Sequence, residues 1–553
     1  MNNRYSIIMA LLIGTLSACT KDGFLNVSPK GSLTNVTTFA TQSNADLFVN
    51  DIYSNLPDIN NEDEILDQYT DNNDVGATWM TGQAVVRSNS INPNNVPGGP
   101  AGSFSWSGNY SIIRKCNVFL QQAALNKANY DTAWYRQRVG EVTFLRAFFY
   151  SILYTNYGGV PIITTPLDNQ GSDSIFIPRS SAAATLSFIE SDCDTAAMDL
   201  PLTATQSGRA TMGAALTLKG WVELFAASPL SNPTDDPTLW AKAAATNLQV
   251  INLGAYSLFS DYQKQFLSAN NWNAETIFAR GYATPNKGHD REGILGPVIV
   301  FGTEQAWGNL VPTQNLVDDY EMSNGLPITD PNSGYNPQHP YLNRELRFYE
   351  SIVYDSSEWQ GDIWESRIGG NNQIDLGSTS DISNTGYNGK KTLDESINGQ
   401  TSRAISPGTS NYIYYRYAEV LLSYAEAQNE AVGPDATVYN AVNLVRARAT
   451  LPALTPGLTQ AQMRTDIRRE RRIELAFEDK RWYDIRRWDI TTGPTGVLTT
   501  PEYGMLITPQ SNGTCTYAKV QVFNNQFSEY MNWLPVPQSV LDQNPNLTQN
   551  PGY

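Results

Sequence analysis

Three tryptophans in loop-like stretches stand beside side chains that can bond a ligand. Trp79 follows DNNDVGAT, where Asn73 and Asp74 are polar neighbours, while Trp307 lies in EQAWGN and Trp359 in EWQGDIW. Flat indole faces suit stacking on sugar rings, and nearby carboxylates and amides suit the hydroxyl groups. We expect these five residues to contact a ligand such as an oligosaccharide. A core or interface role for each tryptophan is the alternative, since most tryptophans are largely buried.

No comparable pattern predicts catalysis. A glycosidase needs two carboxylates about 5 to 9.5 Å apart, but no motif selects a pair among 54 acidic residues. His289 and His339 stand in loops without a nucleophile elbow, which indicates solvent-exposed or turn histidines. Walker, dinucleotide and EF-hand patterns are absent from the sequence. We therefore predict a binding protein without catalytic residues, cofactor or metal, with a glycoside hydrolase as the catalytic alternative.

Charge and composition narrow the class of partner. The net charge of −17 argues against nucleic acid and anionic lipid as electrostatic partners. Charged residues make up 16% of the chain, against a typical value of about 25%. The resulting polar but weakly charged surface suits an extracellular protein that meets neutral ligands.

The N-terminal residues resemble a lipoprotein signal sequence. Arg4 precedes an apolar run over 7–16, which is shorter than the about 20 residues that span a bilayer. Leu16-Ser17-Ala18-Cys19 resembles a bacterial lipobox, so residues 1–18 are predicted to be cleaved and Cys19 to be lipidated. An ordinary signal peptide is the alternative. Residues 19–38 are expected to form a tether between the lipid and the fold.

Three further cysteines remain: Cys116, Cys193 and Cys515. They show no CxxC or Cys/His spacing, so a zinc site is not expected. Because three cannot all pair, at most one disulfide can form among them. We predict that they are small buried hydrophobic residues.

Helical periodicity predicts a repeat scaffold inside one domain, 39–553. A first helix is predicted over 41–56. Four helical hairpins of roughly tetratricopeptide length follow: 110–125 with 134–157, 184–200 with 211–228, 237–253 with 412–431, and 436–450 with 459–489. The scaffold therefore occupies about 110–256 and 411–490. The loop-rich segments, about 57–108 and 257–410, are expected to face the ligand, and the second is expected to contain short strands.

The stretch 466–489, DIRRERRIELAFEDKRWYDIRRWD, is predicted to be a helix held inside the fold. Its predicted inner face carries Glu470 and Glu474, which tolerate burial only beside cations. Nearby candidates for that pairing are Arg471, Arg472, Arg481, Arg486 and Arg487, and Arg446 and Arg448 are further candidates. Trp482 and other aromatic residues argue against the alternative, a solvated salt-bridged face. We expect Glu470, Glu474, Arg471, Arg481 and Trp482 to be structural.

Several stretches together resemble the SusD/RagB family of surface lipoproteins from nutrient-uptake systems. Residues 466–489 resemble that family's RRERRIELAFEGKRWFDLRRW block, with Asp479 where glycine is usual. The ending LPVPQSVLDQNPNLTQNPGY is similar to IPxxExxxNPNLxQNPGY, although Ser539 and Val540 depart from the common acidic position. GEVTFLRAFFYSILYTNYGGVPI, at 140–162, is similar to RFLRAYYYFxLxxxYGxVPL. The order of these fragments along the chain makes the resemblance specific.

The resemblance implies a mainly α fold, a SusD-like α-α superhelix with a large loop-rich insertion. It implies a lipid-anchored protein exposed at the outer membrane. It also implies a partner, a SusC-like TonB-dependent transporter, over which the protein sits as a lid and to which it delivers glycan. A RagB-like protein that binds peptide is the alternative within the same family.

Overall fold

The computed structural model describes residues 35–75, 80–168 and 174–553, and this part of the chain is mainly helical. The helices are α1 Asn35–Thr38, α2 Gln42–Ser54, α3 Thr81–Arg87, α4 Trp106–Leu125, α5 Thr132–Tyr157, α6 Ala182–Asp199, α7 Met212–Ala227, α8 Pro237–Asn252, α9 Arg291–Leu295, α10 Gln314–Asp319, α11 Leu346–Ser351, α12 Gly399–Ile405, α13 Tyr417–Val432, α14 Ala436–Arg448, α15 Gln460–Glu474, α16 Arg481–Arg487 and α17 Gln538–Gln543. The predicted signal peptide, Cys19 and most of the tether lie outside the described residues.

The strands are short and pair as antiparallel ribbons. They are β1 Asn73–Asp74, β2 Thr276–Arg280, β3 Ile299–Val300, β4 Thr303–Glu304, β5 Val311–Pro312, β6 Ile352–Val353, β7 Ser357–Trp359, β8 Asp362–Trp364, β9 Asn388–Gly389, β10 Tyr412–Arg416, β11 Pro501–Pro509 and β12 Cys515–Asn524. The pairs are β1 with β5, β2 with β10, β3 with β4, β6 with β9, β7 with β8, and β11 with β12. The β11–β12 hairpin follows the last scaffold helix and is the longest of these ribbons.

Local sequence signals explain where the scaffold helices begin. The Thr41 hydroxyl accepts a hydrogen bond from the backbone N–H of Asn44 and caps α2. Asp236 caps α8, whose first residue is Pro237. Thr459 and Gln462 form a reciprocal capping box at α15. Such caps satisfy backbone N–H groups that have no partner within the helix, so the sequence itself fixes these starting points.

The scaffold helices pack in the predicted hairpins. Helix α4 packs against α5, α6 against α7, and α14 against α15. Helix α8 packs against α13, although the long insertion separates them in sequence. The mainly α fold with its helical hairpins and strand-bearing insertion is therefore confirmed.

Two predicted helices differ from the structure. Residues 412–416 form β10, which pairs with β2, so α13 begins at Tyr417. The stretch 459–489 is two helices, because α15 ends at Glu474 and α16 begins at Arg481. In the connection, Phe477 and Asp479 have φ of +63° and +60°. This left-handed conformation ends a helix, and it accounts for the glycine usual in the resembling block at Asp479.

The interior contains two main cores. The larger lies among the scaffold helices and includes Trp482, and the smaller lies under the insertion and includes Trp359. Cys116 and Cys193 are buried, Cys515 is half-buried, and all three are free thiols. Within the described residues, the helices are all too short or too polar to cross a membrane.

Candidate ligand-binding face

The two loop-rich segments meet in space. Strand β1 from the first segment pairs with β5 from the second, with Asp74 opposite Val311. The Asn309 amide donates to the carbonyl of Asp63 at 3.1 Å, and the Gln68 amide donates to the carbonyl of Asn309 at 2.6 Å. Residues about 240 positions apart in sequence are therefore joined, and we call the surface of the two joined segments, 57–108 and 257–410, the loop face.

The charged stretch holds the loop face on the scaffold. The Arg481 guanidinium donates to both carboxylate oxygens of Asp71, each at 2.9 Å. Arg472 also pairs with Asp71, at 2.8 Å. Burial alone would raise the pKa of Asp71, but the two guanidinium groups outweigh it and the pKa lies below its ordinary value. Arg481 thus links the last hairpin to the first loop segment.

A cleft of about 340 Å³ opens on the loop face. Its lining residues come from the first loop segment and the start of α3: Glu62, Asp63, Glu64, Tyr69, Met80, Gly82, Gly98, Gly99 and Pro100. Partial burial raises the pKa of both Glu62 and Asp63, and neighbouring carboxylates raise that of Glu62 further. The cleft therefore offers several carboxylate acceptors and favours a neutral ligand rich in hydroxyl donors.

Trp307 stands on the loop face at the insertion side. Its backbone N–H donates to the carbonyl of Gly293 at 2.9 Å, and its indole is half-buried. The guanidinium carbon of Arg403 lies 5.3 Å from the ring centroid. Amide side chains surround this position: the Asn398 amide donates to Gln305 Oε1 at 2.6 Å. The result is an aromatic surface bordered by polar groups, the combination that saccharide recognition requires.

Phe301 is an aromatic residue of the same region that the sequence reasoning missed. It lies at the tip of the β3–β4 hairpin and is 68% exposed. Phe301 and Gly302 have φ of +50° and +70°, a two-residue turn that holds the ring at the tip. The run VIVFGTE contains the signal that would have found it, an apolar strand that ends in a tight turn.

The other predicted ligand residues have different environments. Trp359 is 2% exposed and belongs to the smaller core, so it presents no face to a ligand. Asn73 and Asp74 are buried, and Asp74 pairs with Arg87 at 2.9 Å. The expectation that Trp359, Asn73 and Asp74 contact a ligand is therefore wrong, because their side chains are buried. Trp79 lies outside the described residues, and its chain neighbour Met80 lines the cleft.

Glu474 is the centre of a buried ion network. It is fully buried and accepts hydrogen bonds from Arg416 at 2.6 Å, from Arg347 at 3.1 Å and from Arg448. Burial would raise the pKa of Glu474, but these arginines and Lys391 lower it far below its ordinary value. The predicted partner Arg448 is confirmed. Arg416 and Arg347, which are more distant in sequence, complete the network.

Glu470, Arg471 and Trp482, the other residues of the charged stretch that are predicted to be structural beside Arg481, are also buried. Glu470 contacts Arg347 at 2.6 Å and Arg446 at 3.1 Å, so the predicted Arg446 pair is confirmed. Arg471 donates to Asp484 at 2.8 Å, not to Glu470 or Glu474. Trp482 is fully buried and stacks with Phe104, with ring centroids 6.1 Å apart. The expectation that Glu470 and Glu474 pair with the arginines of their own stretch was wrong. Those arginines contact other residues, as Arg481 contacts Asp71 and Arg487 contacts Glu426.

A serine, a histidine and a glutamate come together at one buried position. His289 Nε2 lies 3.0 Å from Ser410 Oγ, and His289 Nδ1 lies 3.8 Å from a Glu292 oxygen. All three residues are buried, so His289 is not the exposed turn histidine expected, whereas His339 is exposed. Burial lowers the pKa of His289 to about 4 and raises that of Glu292 to about 7. At pH 7 His289 is neutral and Glu292 is only partly ionised, and both are buried, which is unlike a working triad.

Solved structures define the class of protein. A SusD-like protein from Bacteroides fragilis matches with a TM-score of 0.78 and 28% identity over 94% of this chain and 98% of that chain. A second protein from that organism, described as a SusD-like carbohydrate-binding protein, has a TM-score of 0.77 and 24% identity, over 93% of this chain and 100% of its own. The fold is therefore that of SusD-like proteins.

Sequence comparison identifies the family. The model of the SusD family matches residues 274–553, and a model described as "starch-binding associating with outer membrane" matches 23–222. SusD-like protein P25 of Formosa agariphila is 24% identical over 82% of this chain and 80% of its own length. SusD-like protein P2 of that organism is 38% identical over 26% of each chain. The chain belongs to the SusD family, which confirms the resemblance.

Proposed function

We propose that this protein is a cell-surface lipoprotein that captures an oligosaccharide on its loop face. The observation that carries the proposal is that the half-buried Trp307 lies two positions from Asn309, whose amide bonds the carbonyl of Asp63 in the lining of the carboxylate-rich cleft. Aromatic surface and hydroxyl acceptors are the two requirements for holding a neutral sugar chain. The description of one relative as carbohydrate-binding supports the choice of ligand.

The protein acts without catalysis in this proposal. The Ser410, His289 and Glu292 side chains are buried. This burial supports a structural role for the three residues. The carboxylates of the cleft serve as hydrogen-bond acceptors. Product release from a glycan by the purified protein would contradict this part of the proposal.

The protein then delivers the glycan to a SusC-like TonB-dependent transporter and covers it as a lid, held to the outer membrane by lipid on Cys19. Membership of the SusD family and the outer-membrane description of one matching family model support this part. Labelling with palmitate should be lost in the Cys19→Ala variant. Crosslinking at the cell surface should recover a TonB-dependent transporter, and recovery of no such protein counts against the lid.

The binding test uses isothermal titration of the full-length protein in detergent against a panel of neutral polysaccharides, with a peptide mixture as the other arm. We expect a neutral glycan to bind and Trp307→Ala to weaken it about tenfold, the size of one lost aromatic stack. Trp134→Ala is the matched control, since Trp134 is also half-buried but lies on α5. If only the peptide mixture releases heat, the ligand of this protein is a peptide and the proposal of a glycan ligand is wrong.

A further inference from the structure

A second groove, of about 440 Å³, lies between α2, the loop before α7 and the end of β2. Its lining includes Asp46, Arg209, Trp272, Arg280, Tyr282 and Lys287, so it contains one carboxylate and three cations. It shares no lining residue with the cleft of the loop face. We call it the Trp272 groove.

Trp272 is held outward in a strained conformation. It is 37% exposed, more than any other tryptophan in 35–75, 80–168 and 174–553. Its φ of +59° is one that aromatic residues rarely adopt. The Asn271 amide donates to the carbonyl of Thr409 at 2.7 Å and its oxygen accepts from the N–H of Asn411 at 2.8 Å, which fixes this backbone. Strain maintained to keep a large apolar ring in water points to a ligand.

Two glycines pack closely against the Trp272 indole. A Cβ atom at Gly281 would lie 2.8 Å from Trp272 Cζ2, and one at Gly208 would lie 3.2 Å from Trp272 Cη2. Only glycine lets the backbone approach the ring this closely at Gly281. The backbone at Gly208 and Gly281 therefore packs against the indole and limits its movement, as stacking on a ligand requires.

One cation in the Trp272 groove has no acidic partner. Arg209 pairs with Glu141 at 2.8 Å and with Asp46 at 3.2 Å, and Arg280 pairs with Asp58 at 3.1 Å. Lys287 is exposed and forms no ion pair with any acid of the described chain. In a protein of net charge −17, an unpaired ammonium that lines the same groove as an exposed tryptophan favours an anionic ligand.

We propose that the Trp272 groove is a second saccharide site, selective for an acidic sugar. Trp272 stacks on a sugar ring, and Lys287 pairs with a carboxylate or sulfate group of that sugar. The loop-face cleft disfavours the same ligand, because Glu62, Asp63 and Glu64 line it. The proposal rests on the proposed function only in taking a saccharide as ligand.

The test titrates the full-length protein in detergent with three oligosaccharides of equal length: a uronic-acid oligomer, a sulfated oligomer and a neutral glucan. We expect an acidic oligomer to bind and Trp272→Ala to weaken it about tenfold. Lys287→Gln should weaken it about threefold, and that difference should vanish in high salt. Trp307→Ala is the control and should leave acidic binding unchanged. The two acidic arms identify carboxylate or sulfate as the recognised group.

Three outcomes overturn the second site: no acidic oligomer binds, Trp272→Ala binds as the wild type does, or the neutral glucan binds the groove equally well. Because Lys287 is exposed, Lys287→Gln keeps the test valid if the Trp272→Ala variant folds poorly. Neutral glycan binding that is lost in Trp307→Ala, together with no binding of either acidic oligomer, refutes the second site while the proposed function stands. Acidic binding that depends on Trp272, with no binding at the loop face, refutes the proposed function instead.

Discussion

Replacing Glu474 by glutamine tests whether the buried ion network holds the fold together. The substitution keeps the volume and one acceptor oxygen but removes the charge that faces Arg347, Arg416 and Arg448. Breaking a fully buried pair leaves an uncompensated charge and costs about 3 to 5 kcal/mol. That is a large share of a typical unfolding free energy of about 5 to 15 kcal/mol. Glu474→Ala adds a cavity and should cost more.

The pH dependence provides an independent check on the Glu474→Gln variant. The pKa of folded Glu474 lies far below its ordinary value because the surrounding cations outweigh burial. Its contribution to stability is therefore present above the unfolded pKa of about 4.3 and is lost as the pH falls towards the folded pKa. The stability gap between wild type and Glu474→Gln should be full at pH 7 and should narrow below about pH 4.

Calorimetric melting and urea unfolding of the full-length protein measure the effect. The matched control is Asp51→Asn, which also removes one carboxylate charge but breaks the exposed pair with Lys115. That pair contributes about 1 kcal/mol or less. Equal stability of Glu474→Gln and Asp51→Asn would falsify the claim that Glu474 is held by buried charge.

Three further predictions follow from single sites. Glu223 is buried, and burial raises its pKa to about 7; its contribution to stability should therefore decline from pH 5 to pH 8, and Glu223→Gln should remove that decline of about 2 to 4 kcal/mol in urea titrations. Asp71→Asn leaves Arg481 and Arg472 without their shared carboxylate, so hydrogen exchange in 57–75 should accelerate while that in α8 stays unchanged; uniform protection would contradict the anchoring role. Phe301→Ser should leave the melting temperature unchanged, because the ring is 68% exposed, but should weaken neutral glycan binding about threefold; unaltered affinity would remove Phe301 from the site.

The candidate site was only partly predictable from the sequence. The pattern of tryptophan beside amides and carboxylates selected both Trp307, which lies half-buried on the loop face, and Trp359, which lies in a core. Composition around a tryptophan is the same in both cases, so it does not distinguish them. Exposure depends on which distant residues pack over the ring. The same limit explains why Trp272 was missed, although its neighbours in NNWNAE are as polar as those of Trp307, whereas Phe301 was missed because it follows an apolar run.

By itself the sequence determined the scaffold, because helix periodicity and caps such as Thr41 and Thr459 act within a few residues. It also determined the family, because its blocks stand in a fixed order. Only the tertiary structure decided that Glu474 meets Arg347, which lies 127 positions away in sequence. The two loop segments likewise form a face only because β1 pairs with β5 and Asp71 pairs with Arg481. Contacts of that kind depend on the path of the whole chain, and no local pattern records them.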